Sequence, residues 1–222
     1  FLITQPQANC TNNFELGYHT GSNSSSNLGL HKGCGKATVS ENADAEANTY
    51  TILTTKVLSS GTSPTNVTMN KNGTALSMVT DGDGWASAGS YGTSAVNLVI
   101  GTRGAGDGQH FGTIAEVISY NMTLNTAQTT LVENYLNAKY NILISNDKYA
   151  QSTSTTYNKE VSGIGKESDG NHSLASSKGL SMTNSSYLLD NGDYFMFGYD
   201  NTATNTTTAD LAAGFTNRWT RD

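Results

Sequence analysis

Short runs of β-branched and aromatic residues, each closed by Asn, Gly or Ser, recur along most of the chain, and this punctuation constrains the fold more than any other feature. Side chains branched at Cβ suit a pleated strand, whereas Asn and Gly accept the left-handed backbone of tight turns. Residues 49–57 (TYTILTTKV) predict a strand. Residues 66–70 read as a strand entering the turn Lys71-Asn72-Gly73, with 74–78 returning, because Asn-Gly is the pair a two-residue hairpin loop favours. Further strands are predicted at 95–101, 113–120, 161–165, 179–182 and 193–198, and Phe1-Leu2-Ile3 reads as the end of one. Residues 23–27 (NSSSN) read as an exposed loop.

One segment departs from this pattern. Between 126 and 140 the apolar residues fall at Ala127, Leu131, Val132, Tyr135, Leu136 and Tyr140, a spacing that places them on one stripe of a helix. Asn125 is a good N-cap, Gln128 three residues later completes a capping box, and Asn141 can take the left-handed conformation that ends a helix. Such an amphipathic helix is expected to lie on the surface of a β-sandwich. Residues 145–159 are polar and rich in Ser and Thr, which suggests a boundary between a first domain at 1–144 and a second β-rich unit at 145–222. The chain stops just after Trp219 in what reads as the start of a strand, so the second unit is expected to be incomplete.

Only 14% of residues are charged, against roughly 25% in an average soluble protein. Lys and Arg number 12 and the net charge is −6. Phosphate backbones and anionic membrane surfaces need clustered positive charge, so nucleic acid is excluded as a partner. No apolar stretch approaches the roughly 20 residues of a membrane span. The Asn-, Thr- and Ser-rich composition points to an extracellular location. There, Cys10 and Cys34 are expected to form a disulfide, with a pair of buried thiols as the alternative.

Residues 111–142 (FGTIAEVISYNMTLNTAQTTLVENYLNAKYNI) carry Gly112, Ile114 to Ile118, Tyr120, Leu124, Tyr135, Leu136, Lys139, Tyr140 and Ile142 in a familiar order. The run resembles the closing strand and helix of LamG-like, concanavalin A-like domains of bacterial surface proteins, with Asn141 where that family usually has Gly. Downstream, Ile164, Gly165, Lys166, Asp169, Ser176, Ser177, Lys178, Gly198, Asp200 and Asn201 resemble the β segment that follows such domains in large secreted proteins of Bacteroidota. The likeness covers about 45–222 well and the first 40 residues poorly. It implies an all-β fold, a jelly-roll sandwich over 1–144 with one surface helix at about 126–140 and a missing N-terminal strand, followed by a partial second unit. It speaks to fold more than to activity.

Glucanases with this fold carry a Glu-x-Asp-x-x-Glu strand that sets two carboxylates roughly 5 Å apart. No such strand is present, and Glu41, Asp44 and Glu46 have the wrong spacing, so the chain is expected not to be an enzyme. Asp81-Gly82-Asp83-Gly84 offers two carboxylates on a Gly-rich turn, which reads either as a Ca2+ site or as a solvated turn. Trp85 and Tyr91 flank it. They either stack on sugar rings, making 81–91 the candidate glycan site, or Trp85 closes one end of the core. Two functions are therefore expected. One is a non-catalytic surface module that adheres to glycans or other surface proteins. The alternative is a structural subunit that builds an extracellular filament by pairing strands with identical chains.

Overall fold

The computed structural model describes residues 2–5, 14–21, 24–32, 37–40, 49–57, 67–81, 97–102, 110–149, 156–178, 180–183 and 188–200. These residues form mostly antiparallel strands with one helix. The chain divides into two compact units. The first holds Phe1–Thr49, Thr55–Lys71 and Ala75–Thr123, and the second holds Tyr50–Thr54, Asn72–Thr74 and Leu124–Asp222.

The main sheet of the first unit has six strands: β1 (Ile3–Gln5), β2 (Phe14–Gly21), β3 (Ser24–Lys32), β4 (Ala37–Ser40), β8 (Met78–Asp81) and β9 (Val99–Ile100), in the order β8-β4-β3-β2-β1-β9. Paired residues share a face, so the register aligns Ile100, Ile3, Leu16 and Leu30 in one row across four strands. Burial along the row is deepest at the centre. Leu30 is 1% exposed, whereas Ile100 at the edge is 51% exposed. Leu28 shares the face of Leu30, while Glu15 points to the other side, and all three are buried. The central strands are therefore covered on both faces.

Residues 24–27 belong to β3 rather than to the loop expected from NSSSN. Pairing with β2 through Gly21↔Ser24, His19↔Asn27 and Tyr18↔Leu28 overrides the weak strand preference of these residues.

A three-stranded sheet runs β5-β6-β7, from β5 (Leu53–Val57), β6 (Val67–Lys71) and β7 (Thr74–Ala75). Asn72 and Gly73, at φ 50° and 77°, make the left-handed turn that the Asn-Gly pair predicts. Val67 and Met69 are buried and Thr68 is exposed, the alternation of a strand with one face on a core.

Two expected strands fall short. In 95–101 only Val99–Ile100 is a strand among the described residues, and 113–120 contains none. Alternation marks which side chains are covered, not whether a neighbour is present to complete a ladder. Ile114 and Glu116 are half-buried and Thr113 and Ala115 exposed, so burial alternates over these four residues.

The second unit is layered. Helix α1 (Thr126–Tyr140) packs on the sheet β11-β10-β14, formed by β10 (Lys159–Glu167), β11 (Gly170–His172) and β14 (Tyr194–Tyr199). The hairpin β12–β13 (Leu174–Ser177 and Leu180–Thr183) packs against β10. Strand β14, YFMFGY, explains the arrangement. Tyr194 and Met196 join Ala127, Leu131 and Val161 in the core beneath the helix, while Phe197 and Tyr199 join Ile164 and Ala175 in the other core. A strand apolar on both faces needs a layer on each side. Gly165 lies opposite Tyr194, and a Cβ there would overlap the tyrosine ring.

The caps of α1 are those the sequence predicts. Gln128 N–H donates to Asn125 Oδ1 at 2.8 Å, Asn125 N–H donates to Gln128 Oε1 at 3.1 Å, and Asn141 is left-handed. Its buried side differs from the predicted one. Of Ala127, Leu131, Val132, Tyr135, Leu136 and Tyr140, Ala127 and Leu131 are buried and the other four half-buried, and the covered residues also include Thr129, Thr130, Glu133, Asn134 and Asn137. Hydrogen bonds satisfy Asn134 there. Asn134 Nδ2 donates to the carbonyls of Thr130 and Asn146, and Asn134 Oδ1 accepts from the backbone N–H groups of Lys148 and Tyr149. This folds the segment after the helix back onto it.

Candidate functional site

Asp81 is the last residue of β8, its backbone paired with Ala37. Asp83, Trp85, Tyr91, Cys10 and Cys34 lie outside the described residues, as do Glu41, Asp44 and Glu46. Among the described residues no three His, Cys, Asp or Glu side chains gather in a way that could hold a metal. No helix among them is long and apolar enough to cross a membrane.

The geometry that stands out lies in the second unit, where Tyr50–Thr54 meets the C-terminal end of α1. Asn72 organises it. Its N–H donates to Ile52 O, its Oδ1 accepts from Ile52 N–H, and its carbonyl accepts from Ser145 N–H, all at 2.9 Å. One left-handed residue thus ties the 50–54 segment to the chain leaving the helix. A second tie is made by Thr54 Oγ1, which donates to the buried Glu133 carboxylate at 2.7 Å.

These ties bring Tyr50 onto Tyr140, with ring centroids 6.5 Å apart and planes 28° from parallel. Tyr50 is 52% exposed. Lys139 stands beside them in the last turn of the helix. Its Nζ donates to Tyr135 Oη at 2.7 Å and lies 5.1 Å from the Tyr135 ring centroid and 5.4 Å from that of Tyr140. The result is a surface row, Tyr135–Lys139–Tyr140–Tyr50, of three phenol rings with an ammonium between them. Cations held this close to ring faces are attracted by the negative face of the π-system. No family model, curated protein or solved structure matches the chain. The functional reading therefore rests on the chain's own geometry.

The row was not among the sequence-derived candidates. Tyr50 read as a strand residue, and Tyr135 and Tyr140 read as part of an apolar stripe. One signal was available: Tyr135 and Lys139 are four apart on a helix and so meet on its surface. The stacking of Tyr50 on Tyr140 spans 90 positions and had no local signature.

Proposed function

We propose that this chain is a non-catalytic extracellular module of a cell-surface, adhesin-type protein that binds carbohydrate. In this reading the first unit makes a LamG-like, concanavalin A-like jelly-roll sandwich, followed by the second β-rich unit, on whose sheet β11-β10-β14 the helix packs. The observation that carries the binding reading is the tyrosine row, half-buried at Tyr135 and Tyr140 and exposed at Tyr50. An exposed phenol face packs against the C–H face of a sugar ring while its hydroxyl stays wet. Leu28 and Leu30, buried on one face of β3, support a second layer on the main sheet, as a sandwich has. Calcium at Asp81 and Asp83, and sugar contacts at Trp85 and Tyr91, belong to the same proposal on sequence grounds.

Binding of the folded chain to a panel of soluble polysaccharides, with and without calcium, tests this. Loss of the Tyr50 face in Tyr50→Ala is expected to weaken binding about tenfold. A folded chain that binds no glycan would remove the carbohydrate reading.

A second reading, a filament subunit assembled by inter-chain strand pairing, is favoured by one observation. Among the described residues β9 is an edge of the six-stranded sheet, and its neighbour Leu98 and its own Ile100 are 48% and 51% exposed. Unpaired apolar edges invite another strand. Electron microscopy and light scattering of the intact chain separate the two: ordered filaments favour the second reading, and monodisperse monomers remove it.

A further inference from the structure

We infer that Asn191 is a site of spontaneous covalent modification. There the folded chain converts asparagine to aspartate and isoaspartate, while the other Asn-Gly pair, Asn72-Gly73, is protected.

Asn-Gly occurs twice in the sequence. The dipeptide is reactive because glycine has no Cβ to keep its backbone nitrogen away from the carboxamide that precedes it. That nitrogen attacks the asparagine Cγ, so a Cγ–N bond forms and the Cγ–Nδ2 bond breaks. Ammonia leaves, carrying the amide proton of the glycine. Water then opens the five-membered succinimide at either carbonyl, which gives aspartate or isoaspartate. Nothing is oxidised or reduced, and water is the co-reactant.

The reacting groups are identical at the two pairs, so the fold decides between them. Asn72 is tied at three points: its Oδ1 accepts from Ile52 N–H, its N–H donates to Ile52 O, and its carbonyl accepts from Ser145 N–H. A Cβ at Gly73 would stand 3.1 Å from Ser145 Oγ and 3.3 Å from Ser145 N, so the glycine is crowded as well. Closing a succinimide there means pulling the carboxamide off Ile52 and distorting a residue held by its backbone.

Asn191 lies in the turn that leads into β14. It is exposed, and no hydrogen bond to another described residue fixes its carboxamide. A Cβ at Gly192 would meet nothing within 4 Å, so no neighbour shields the attacking residue. The flanks of the turn are pinned instead. Lys166 Nζ donates to Leu189 O at 2.5 Å, and the Asp193 carboxylate accepts from Leu189 N–H at 3.0 Å and Asp190 N–H at 3.1 Å. One bond opposes the reaction: Gly192 N–H donates to Lys166 O at 2.8 Å and must be released.

The product adds one negative charge to a chain of net charge −6. Isoaspartate also inserts an extra backbone carbon before Gly192, which removes the bond to Lys166 O. Lys166 N–H still donates to Asp193 O at 3.0 Å, so β14 keeps its register and the modified chain stays folded. Loss of that one bond should lower the thermal midpoint by roughly 2–4 °C.

The test is peptide mapping by mass spectrometry of the intact chain during incubation in mildly alkaline buffer, folded and in urea. In urea the two asparagines should convert at similar rates. In the folded chain Asn191 should convert about tenfold faster than Asn72 or more, since two more hydrogen bonds hold Asn72. Asn191→Gln should remove the main acidic species that charge separation detects, with circular dichroism confirming its fold. Equal conversion of the two sites in the folded chain, faster conversion at Asn72, or no conversion at Asn191 while the chain in urea converts would each overturn the inference. So would an acidic species that persists undiminished in Asn191→Gln.

Discussion

Asn134 and Asn137 sit one turn apart on α1, both essentially without solvent exposure, and they are opposites in energy. Asn134 uses both donor bonds and both acceptor positions of its amide. Removing it takes a partner from the backbone N–H groups of Lys148 and Tyr149 and from the carbonyl of Asn146, although Tyr149 N–H keeps the Asp147 carboxylate. Each lost partner of a buried polar group costs about 1–3 kcal/mol, so Asn134→Ala is expected to destabilise the fold by about 2–4 kcal/mol. Neither amide atom of Asn137 has a hydrogen-bond partner, so its desolvation is not offset. Asn137→Leu, close in volume, is expected to leave stability unchanged or raise it by about 1 kcal/mol. Urea unfolding of both variants measures the contrast. Equal losses at the two positions would mean that hydrogen bonding does not decide which polar residues this helix can bury.

At the scale of elements, α1 was the most legible part of the sequence, because its caps are local. Asn125, Gln128 and Asn141 lie within or next to the helix and act through backbone groups a few residues away. What covers the helix was not legible. The apolar stripe suggested one buried side, but the buried side is set by partners such as Asn146, Lys148 and Thr54, which no periodicity within the helix can register. Asp169 gives the same lesson at the N-terminus. From the β10–β11 turn its carboxylate accepts from Thr126 N–H at 2.9 Å and from Thr126 Oγ1 at 2.9 Å, 43 residues away. The helix thus has a second N-terminal cap, supplied by tertiary structure, and the charge suits the positive end of the helix dipole. Asp169→Ala is expected to cost about 1 kcal/mol, and Asp169→Asn less, since the amide oxygen still accepts but carries no charge. A thermal unfolding series with equal midpoints for parent and both variants would show that the Asn125 box alone caps the helix. Among strands, β14 and the β6–β7 hairpin were legible because apolar runs and Asn-Gly are strong signals. β2 was missed because its eight residues include two glycines, a glutamate and a histidine, and only pairing with its neighbours makes it a strand.

For the molecule as a whole, the buried tyrosines make stability depend on alkaline pH. Burial pushes the Tyr149 phenol up to about 12, with a smaller contribution from Tyr157. Its hydroxyl donates to Tyr157 O at 2.7 Å, a bond that only the neutral phenol can make. Burial likewise raises Tyr194, whose hydroxyl donates to Glu167 at 2.9 Å, and Tyr199. A phenol whose folded value lies above the unfolded one of about 10 binds its proton more tightly in the fold. Its contribution is complete below pH 10 and is lost as pH climbs from about 10 towards 12 and beyond. Tyr149 and Tyr194 share one core with Ala127, Val161 and Met196, so ionising either opposes the packing of both. The expected result is a biphasic titration of the 11 tyrosines. A first set should ionise without change in secondary structure, and the buried set only together with loss of the circular dichroism signal. Tyr149→Phe should move that second step to higher pH, because one proton that the fold holds is no longer there to lose. A single smooth titration of every tyrosine near 10, with the dichroism unchanged, would show that the layered core admits phenolates and does not couple their charge to folding.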